Sequence, residues 1–218
     1  MITAYVGANG SGKSLLAVSD AIDETLRMPG RPLYSTVPID YDSKRGSVHS
    51  IPITSWQQLL DLDGGHVLLD EVATLASSRE TNSLPPEVLA WMGSLRHTDT
   101  TLAWTAPAWA RADVVLREST QLVKEIVPKV RHRKKGQRWR VTLLSLVRTY
   151  RTDAGQGGDF PKDDDRQGRA KFMRLRKQLG FGAYPTLHQV VRLSEFGAQC
   201  SICGKRKRVE YCRCPAHD

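Results

Sequence analysis

The chain has 218 residues, enough for one α/β domain with a small appendage, and its 40% apolar content suffices for a hydrophobic core. It contains no run of the ~18 apolar residues that a membrane span needs and no secretory signal, which predicts a cytoplasmic protein without a transmembrane segment. Residues 1–125 carry 10 basic and 15 acidic side chains, whereas residues 126–218 carry 22 and 8. The basic part is therefore expected to meet a polyanion.

A glycine-rich motif lies between a predicted strand at 2–6 and a predicted helix at 14–26. Residues 7–14 read Gly-Ala-Asn-Gly-Ser-Gly-Lys-Ser, a complete GxxxxGK[ST] (Walker A) phosphate-binding loop rather than an ordinary glycine-rich turn. Its backbone N–H groups and the helix N-terminus favour a bound phosphate. Lys13 is expected to reach the β- and γ-phosphates of ATP, and the Ser14 hydroxyl to ligate Mg²⁺. The predicted nucleotide-binding residues are Gly7, Ala8, Asn9, Gly10, Ser11, Gly12, Lys13, Ser14 and Leu15.

An acidic pair follows the third predicted strand. The preceding residues predict a strand at 33–37, a loop at 40–50 and a short helix at 55–60. His66-Val-Leu-Leu-Asp70-Glu71 then resembles a buried strand that ends in two carboxylates (Walker B). Asp70 is expected to hold Mg²⁺ through its water shell, and Glu71 to polarise the attacking water, which predicts ATP hydrolysis. The alternative is that both acids only cap the next helix.

After the acidic pair, the hydrophobic pattern predicts a helix at 84–97, a strand at 100–106, a helix at 113–121 and strands at 122–127 and 139–150. Thr105, at the carboxyl end of its strand, is a candidate sensor of the γ-phosphate. The connector between the last two strands is basic and lies beside aromatic residues, which favours nucleic-acid contact over a merely solvated loop. Its candidate DNA contacts are Arg131, Arg133, Lys134 and Lys135.

These elements predict an α/β P-loop NTPase fold, with a parallel-sheet core and helices on both faces. The predicted domains are an ATPase domain at 1–152, a flexible glycine- and aspartate-rich linker at 153–170 and a basic C-terminal region at 171–218.

All the cysteines lie in the last part of the chain, where they resemble a small zinc knuckle. Cys200 and Cys203 have the spacing that grips one tetrahedral ion, and the remaining ligands are open among Cys212, Cys214 and His217. The zinc would be structural, and the alternative is a basic tail with free thiols. The basic run between the ligand pairs is suited to DNA phosphates; it consists of Lys205, Arg206, Lys207 and Arg208.

The two nucleotide motifs, with the strand at 31–38 and the helix ending Leu95-Arg96-His97, resemble the ATPase domain of zonular occludens toxin-like proteins. These are filamentous-phage assembly ATPases within the FtsK/HerA group, which is related in fold to RecA. The resemblance covers residues 1–150 and implies a homo-oligomeric ring, in which an arginine of the neighbouring subunit stabilises the transition state. Arg96 is the first candidate for that role and Arg117 the second. Thr105 stands where this group usually has glutamine. The family continues into a membrane span at the point where this sequence continues into the cysteine-bearing tail, so no membrane anchor of its own is expected.

The preferred function is therefore DNA packaging, transfer or extrusion by an ATPase of a phage, plasmid or other mobile element. The alternative is a virion assembly and export ATPase that works at the membrane through a membrane or portal partner protein. A small-molecule kinase and a non-catalytic nucleotide switch have the same phosphate loop, but the acidic pair and the long basic extension disfavour a kinase.

Overall fold

The computed structural model describes residues 1–72, 85–95, 97–132, 141–152 and 158–185. Within these ranges the central element is an eight-stranded sheet in the order β10-β9-β8-β1-β7-β6-β2-β5, and β3 and β4 form a separate hairpin. The strands are β1 (Ile2–Val6), β2 (Leu33–Ser35), β3 (Asp40–Ser43), β4 (Gly46–His49), β5 (Ile51–Pro52), β6 (Gly65–Leu69), β7 (Thr100–Ala106), β8 (Leu122–His132), β9 (Val141–Arg151) and β10 (Lys171–Arg174). The helices are α1 (Lys13–Arg27), α2 (Trp56–Leu60), α3 (Pro86–Ser94) and α4 (Val114–Ser119).

The middle of the sheet is parallel. β1 pairs with β7 on one side and with β8 on the other, and β6 continues the parallel order from β7 to β2. β9 and β10 then add two antiparallel strands at one edge. Because parallel strands point the same way, the carboxyl ends of β1, β6 and β7 meet at one edge of the sheet, where the predicted motifs follow them.

Helices cover both faces of this sheet, because the central strands carry apolar side chains on both faces. On β6, Val67 and Leu69 face a core that includes side chains of α2, α3 and α4, whereas Leu68 faces the core under α1. On α1, the buried apolar residues are Leu15, Leu16, Ala17, Val18, Ala21 and Ile22. The predicted fold class is therefore confirmed for the described residues.

Residues 40–49 were predicted as a loop, but they form the β3–β4 hairpin. Val48 is buried and Tyr41 packs against the α1 core, whereas Asp40, Asp42 and His49 face solvent. Only one side of this short hairpin is apolar, so its polar outer side gives it the composition of a loop. Lys44 and Arg45 form the turn, and Gly46, the first residue of β4, has a φ of 132°.

Residues 171–185, hereafter the C-terminal strap, pack on the same domain as the phosphate loop. The strap begins with β10, in which Phe172 pairs with Leu146 of β9. It then crosses α1, where the Gly180 N–H donates to Ser19 Oγ at 3.0 Å. At its end, the Ala183 carbonyl accepts a hydrogen bond from the Asp40 N–H at 2.8 Å. The predicted C-terminal region at 171–218 begins with this strap, and the predicted linker at 153–170 directly precedes it. Their parts at 153–157 and 186–218 lie outside the described residues.

Within the described part of the chain, no helix has both the length and the apolar character required to cross a membrane.

Candidate functional site

The glycine-rich loop connects the central strand β1 to the buried helix α1. Its first residue has no room for a side chain, because a Cβ on Gly7 would lie 2.4 Å from the carbonyl oxygen of Ile126 in β8. Its last turn needs the left-handed conformation that glycine tolerates, since Gly12 precedes α1 with φ of 93°. Ser145 Oγ of β9 donates to the Ser11 carbonyl at 2.6 Å and ties the loop to the edge of the sheet. These contacts set the path of the loop backbone between β1 and α1.

Lys13 lies in the first turn of α1 and is only 7% exposed. Its Nζ lies 3.3 Å from Glu71 Oε2 and 3.5 Å from Asn9 Oδ1. The two sequence motifs therefore meet in space, and the ammonium group of one faces a carboxylate of the other. A buried cation with partly exposed oxygen partners is a suitable group to receive the phosphates of a nucleotide.

The acidic pair is held by hydroxyl groups from the two neighbouring strands. Thr105 Oγ1 donates to Asp70 Oδ1 at 2.7 Å and accepts the Glu71 N–H at 2.9 Å. On the other side, Thr36 Oγ1 accepts the Asp70 N–H at 2.8 Å. Glu71 itself adopts a positive φ of 56°, which is uncommon outside glycine. Both threonines are buried, so they fix the backbone of Asp70 and Glu71, and Thr105 also fixes the Asp70 carboxylate.

Thr105 therefore contacts the acidic pair directly, and its predicted role as a sensor of the γ-phosphate stays a prediction. Thr36 was missed by the sequence reasoning. The available signal was its place immediately after β2, since side chains there lie at the same edge of the sheet as Asp70.

A cleft of about 790 Å³ opens over this arrangement. Its floor contains Lys13, Ser14, Asp70 and Glu71. Its outer wall comes from β9 and from the C-terminal strap, and consists of Val141, Thr142, Leu143, Leu175, Arg176, Gly180, Phe181, Gly182, Tyr184 and Pro185. This volume lies within the ~300–1,000 Å³ typical of small-molecule sites.

Tyr184 closes the cleft near the acidic pair. Burial, and secondarily the Asp70 carboxylate, raise the pKa of Tyr184 to about 12. The phenol therefore stays protonated at neutral pH and adds no negative charge beside Asp70.

The floor also has the ligand types that Mg²⁺ prefers. Ser14 offers a hydroxyl oxygen and Asp70 a carboxylate, and both line the same cleft. The Thr105 hydrogen bond occupies only one side of the Asp70 carboxylate, so further oxygen lone pairs remain on this group. These residues thus fit the predicted magnesium site in chemical type.

Several other predicted residues lie outside the described residues. They are Arg96, Arg133, Lys134, Lys135, Cys200, Cys203, Lys205, Arg206, Lys207, Arg208, Cys212, Cys214 and His217. Arg131 is described and is exposed near the end of β8. Arg117 points into its own chain, where its Nη1 donates to the Gly158 carbonyl at 2.5 Å and shares that acceptor with Trp109 Nε1.

No family model and no curated protein matches the chain. Among solved structures, the N-terminal domain of zonular occludens toxin from Neisseria meningitidis is 16% identical, with a TM-score of 0.56, over 84% of this chain and 98% of that one. The genome packaging NTPase B204 of Sulfolobus turreted icosahedral virus 2, in complex with ATP-gammaS, is 11% identical, with a TM-score of 0.47, over 67% of this chain and 90% of that one. The resemblance inferred from the sequence is thus confirmed at the level of the fold, and the described chain has the fold of a P-loop NTPase.

Proposed function

We propose that the protein is an ATPase that binds Mg²⁺–ATP at the phosphate loop and hydrolyses it with the acidic pair. The observation that carries this proposal is the convergence of Lys13, Asp70 and Glu71 in one cleft, with Lys13 Nζ 3.3 Å from Glu71 Oε2. A phosphate loop alone would support binding, whereas a carboxylate beside the lysine supports turnover.

In this proposal, the loop N–H groups and Lys13 bind the phosphates and neutralise charge that develops on the γ-phosphoryl group. Ser14 and Asp70 hold Mg²⁺, which supplies additional positive charge at the phosphate oxygens. Glu71 accepts a proton from the attacking water. Entry of the nucleotide must displace the Lys13–Glu71 contact, because the lysine cannot serve the carboxylate and the γ-phosphate equally. That exchange separates the Glu71 carboxylate from the lysine ammonium group.

We propose further that DNA is the polymer on which the ATPase acts, in packaging, transfer or extrusion of the genome of a phage or other mobile element. Exposed basic side chains along residues 162–177 support contact with a polyanion. They are Lys162, Arg166, Arg169, Lys171, Arg174, Arg176 and Lys177. The zonular occludens toxin-like alternative, virion assembly at the membrane through a partner, predicts hydrolysis that does not respond to DNA. A ring with an arginine supplied in trans, and zinc in the cysteine-rich tail, remain part of the proposal.

The test is the steady-state ATPase rate of the full chain, with and without single- and double-stranded DNA. Glu71→Gln should retain ATP binding and lose turnover by about 10²–10⁴-fold, the usual contribution of a general base. Glu118→Gln is the matched control, because Glu118 is an exposed carboxylate on α4 and does not line the cleft. A several-fold rise in rate with DNA supports the DNA-directed motor. A DNA-indifferent rate favours the assembly ATPase, and a wild-type rate equal to that of Glu71→Gln rejects the catalytic assignment.

A further inference from the structure

The outer wall of the cleft has an apolar character that the phosphate chemistry of its floor does not explain. Three large apolar side chains are exposed there: Val141 is 42% exposed, Leu143 is 39% exposed and Phe181 is 56% exposed. All three line the cleft that contains Lys13 and Asp70. Exposed apolar side chains that share one concave site mark a surface for an apolar ligand group.

The wall is held at a fixed position relative to the phosphate loop. Met173 of the strap is buried and lies so close to the loop that a Cβ on Gly12 would be 3.0 Å from Met173 Cε. A second attachment follows at Gly180, whose N–H bonds to Ser19 of α1 and whose backbone packs against Val18. Phe181 is the next residue, so its ring is carried by backbone that is attached directly to the helix of the phosphate loop.

The wall also carries a cation. Arg176 is exposed and lines the same cleft, between the attachments at Met173 and Gly180. A guanidinium group and an aromatic ring that line one cleft match a ligand that is anionic at one end and flat and apolar at the other. In the proposed function, the phosphates of the nucleotide bind at the floor of the cleft. The base of the same nucleotide then lies against the wall.

We propose that Val141, Leu143 and Phe181 form the nucleobase subsite, with the Phe181 ring stacked on the base. This inference rests on the proposed function and assigns a part of the same cleft that the nucleotide motifs do not cover. The subsite is made within one chain, by the strap and β9. Every base has a π-face, so stacking on an aromatic ring shows little preference among bases. Phe181 therefore distinguishes a nucleotide from inorganic polyphosphate, and it does not distinguish adenine from guanine.

The experiment compares the affinity of the full chain for Mg²⁺–ATP and for Mg²⁺–tripolyphosphate by calorimetry. Phe181→Ala should weaken ATP binding about tenfold, in line with the loss of one base–aromatic stack, and should leave tripolyphosphate binding unchanged. Phe172→Ala is the matched control, because Phe172 is on the same strap, is 68% exposed and does not line the cleft. Phe181→Tyr retains the ring and should restore the affinity for ATP.

The outcomes separate the two proposals. If the wild-type chain binds ATP and Phe181→Ala binds it equally well, the base subsite is wrong while the phosphate site stands. If Phe181→Ala weakens both ligands equally, the ring supports the cleft structure and the base subsite is also wrong. If the wild-type chain binds neither ligand, the proposed function fails together with the subsite. A photoreactive 2-azido-ATP should label a peptide that contains residues 171–185 or 141–143, and labelling confined to other peptides would overturn the inference independently.

Discussion

The floor of the cleft consists of buried polar groups joined by hydrogen bonds, whereas its outer wall presents exposed apolar side chains. On the floor, Thr105 and Thr36 hold the acidic pair at distances of 2.7–2.9 Å, and Lys13 faces Glu71. On the wall, Phe181 and Leu143 face the same space without such a network. The floor is thus suited to bind charged groups, and the wall is suited to contact an apolar group of the ligand.

The difference reflects how the two regions are attached to the fold. The floor lies at the carboxyl ends of parallel strands in the middle of the sheet, where each residue is fixed by neighbours on both sides. The wall consists of β9, an antiparallel strand next to the edge of the sheet, and of the strap, which is attached to α1 through a few identified contacts. A substitution in the floor should therefore affect chemistry and stability together, whereas one in the wall should affect affinity with little change in the chemical step.

The strongest test of the floor is Gly7→Ala. The added Cβ would lie 2.4 Å from the Ile126 carbonyl oxygen and 2.7 Å from Ser11 Oγ, so β8 or the loop must move. We expect the free energy of unfolding to fall by about 3 kcal/mol, as for overpacked cores, and ATP binding to be lost with the loop geometry. Chemical denaturation and calorimetry with ATP measure the two effects.

Gly93→Ala provides the matched control for Gly7→Ala. Gly93 lies in α3, and among the described residues no atom outside its chain neighbours and the backbone of its own helix lies within 4 Å of an added Cβ. Because alanine is a better helix former than glycine, this change should stabilise the protein by up to about 1 kcal/mol. Equal effects of the two substitutions would show that the close approach of β8 does not constrain the loop.

A smaller effect is expected from Thr105→Val, which keeps the shape of the side chain and removes its hydroxyl. Asp70 Oδ1 then loses its donor and the Glu71 N–H loses its acceptor. Since both contacts are at a fully buried side chain, the free energy of unfolding should fall by about 2 kcal/mol. The turnover number should fall as well, with a smaller change in ATP affinity.

Two variants show whether Thr105 acts through its hydroxyl group. Thr105→Ser retains the hydroxyl and should recover most of the turnover. Thr101→Val changes the same strand and removes a hydroxyl that is 2.8 Å from His66 Nδ1, away from the cleft. If Thr101→Val slows turnover as much as Thr105→Val, the loss comes from the strand rather than from the position of the carboxylates.

The contrast between floor and wall also explains what the sequence could predict. The phosphate loop and the acidic strand are contiguous motifs, and each has chemistry that determines both residue type and spacing, so Lys13, Asp70 and Glu71 could be named in advance. The parallel core followed from short apolar strands that alternate with helical segments. The predicted roles of these residues still await the experiments above.

The wall could not be predicted in this way, because its residues come together only through tertiary packing. Val141 and Phe181 are 40 positions apart, and neither belongs to a motif. β10 has an exposed aromatic residue and basic neighbours, so its pattern resembles a charged loop rather than a strand. The hairpin at 40–49 was missed for a related reason, since a strand with one polar face and few residues has little periodicity to detect.

The smallest predicted effect concerns the attachment of the wall, and Ser19→Ala tests it. Ser19 Oγ accepts the Gly180 N–H at 3.0 Å and donates to the Leu15 carbonyl at 2.6 Å. Removal of the hydroxyl leaves the buried Gly180 N–H without this acceptor and should lower the free energy of unfolding by about 1 kcal/mol. Hydrogen exchange at Gly180 should accelerate, and ATP affinity should fall severalfold while turnover at saturating ATP is retained.

Ser94→Ala is the matched control for Ser19→Ala. It removes the same type of helical contact, from Ser94 Oγ to the Trp91 carbonyl, but among the described residues no partner outside α3 depends on that hydroxyl. If the two serine variants bind ATP alike, the strap is not held in its functional position by α1. A selective loss in Ser19→Ala would show that the helix of the phosphate loop also positions the wall opposite it.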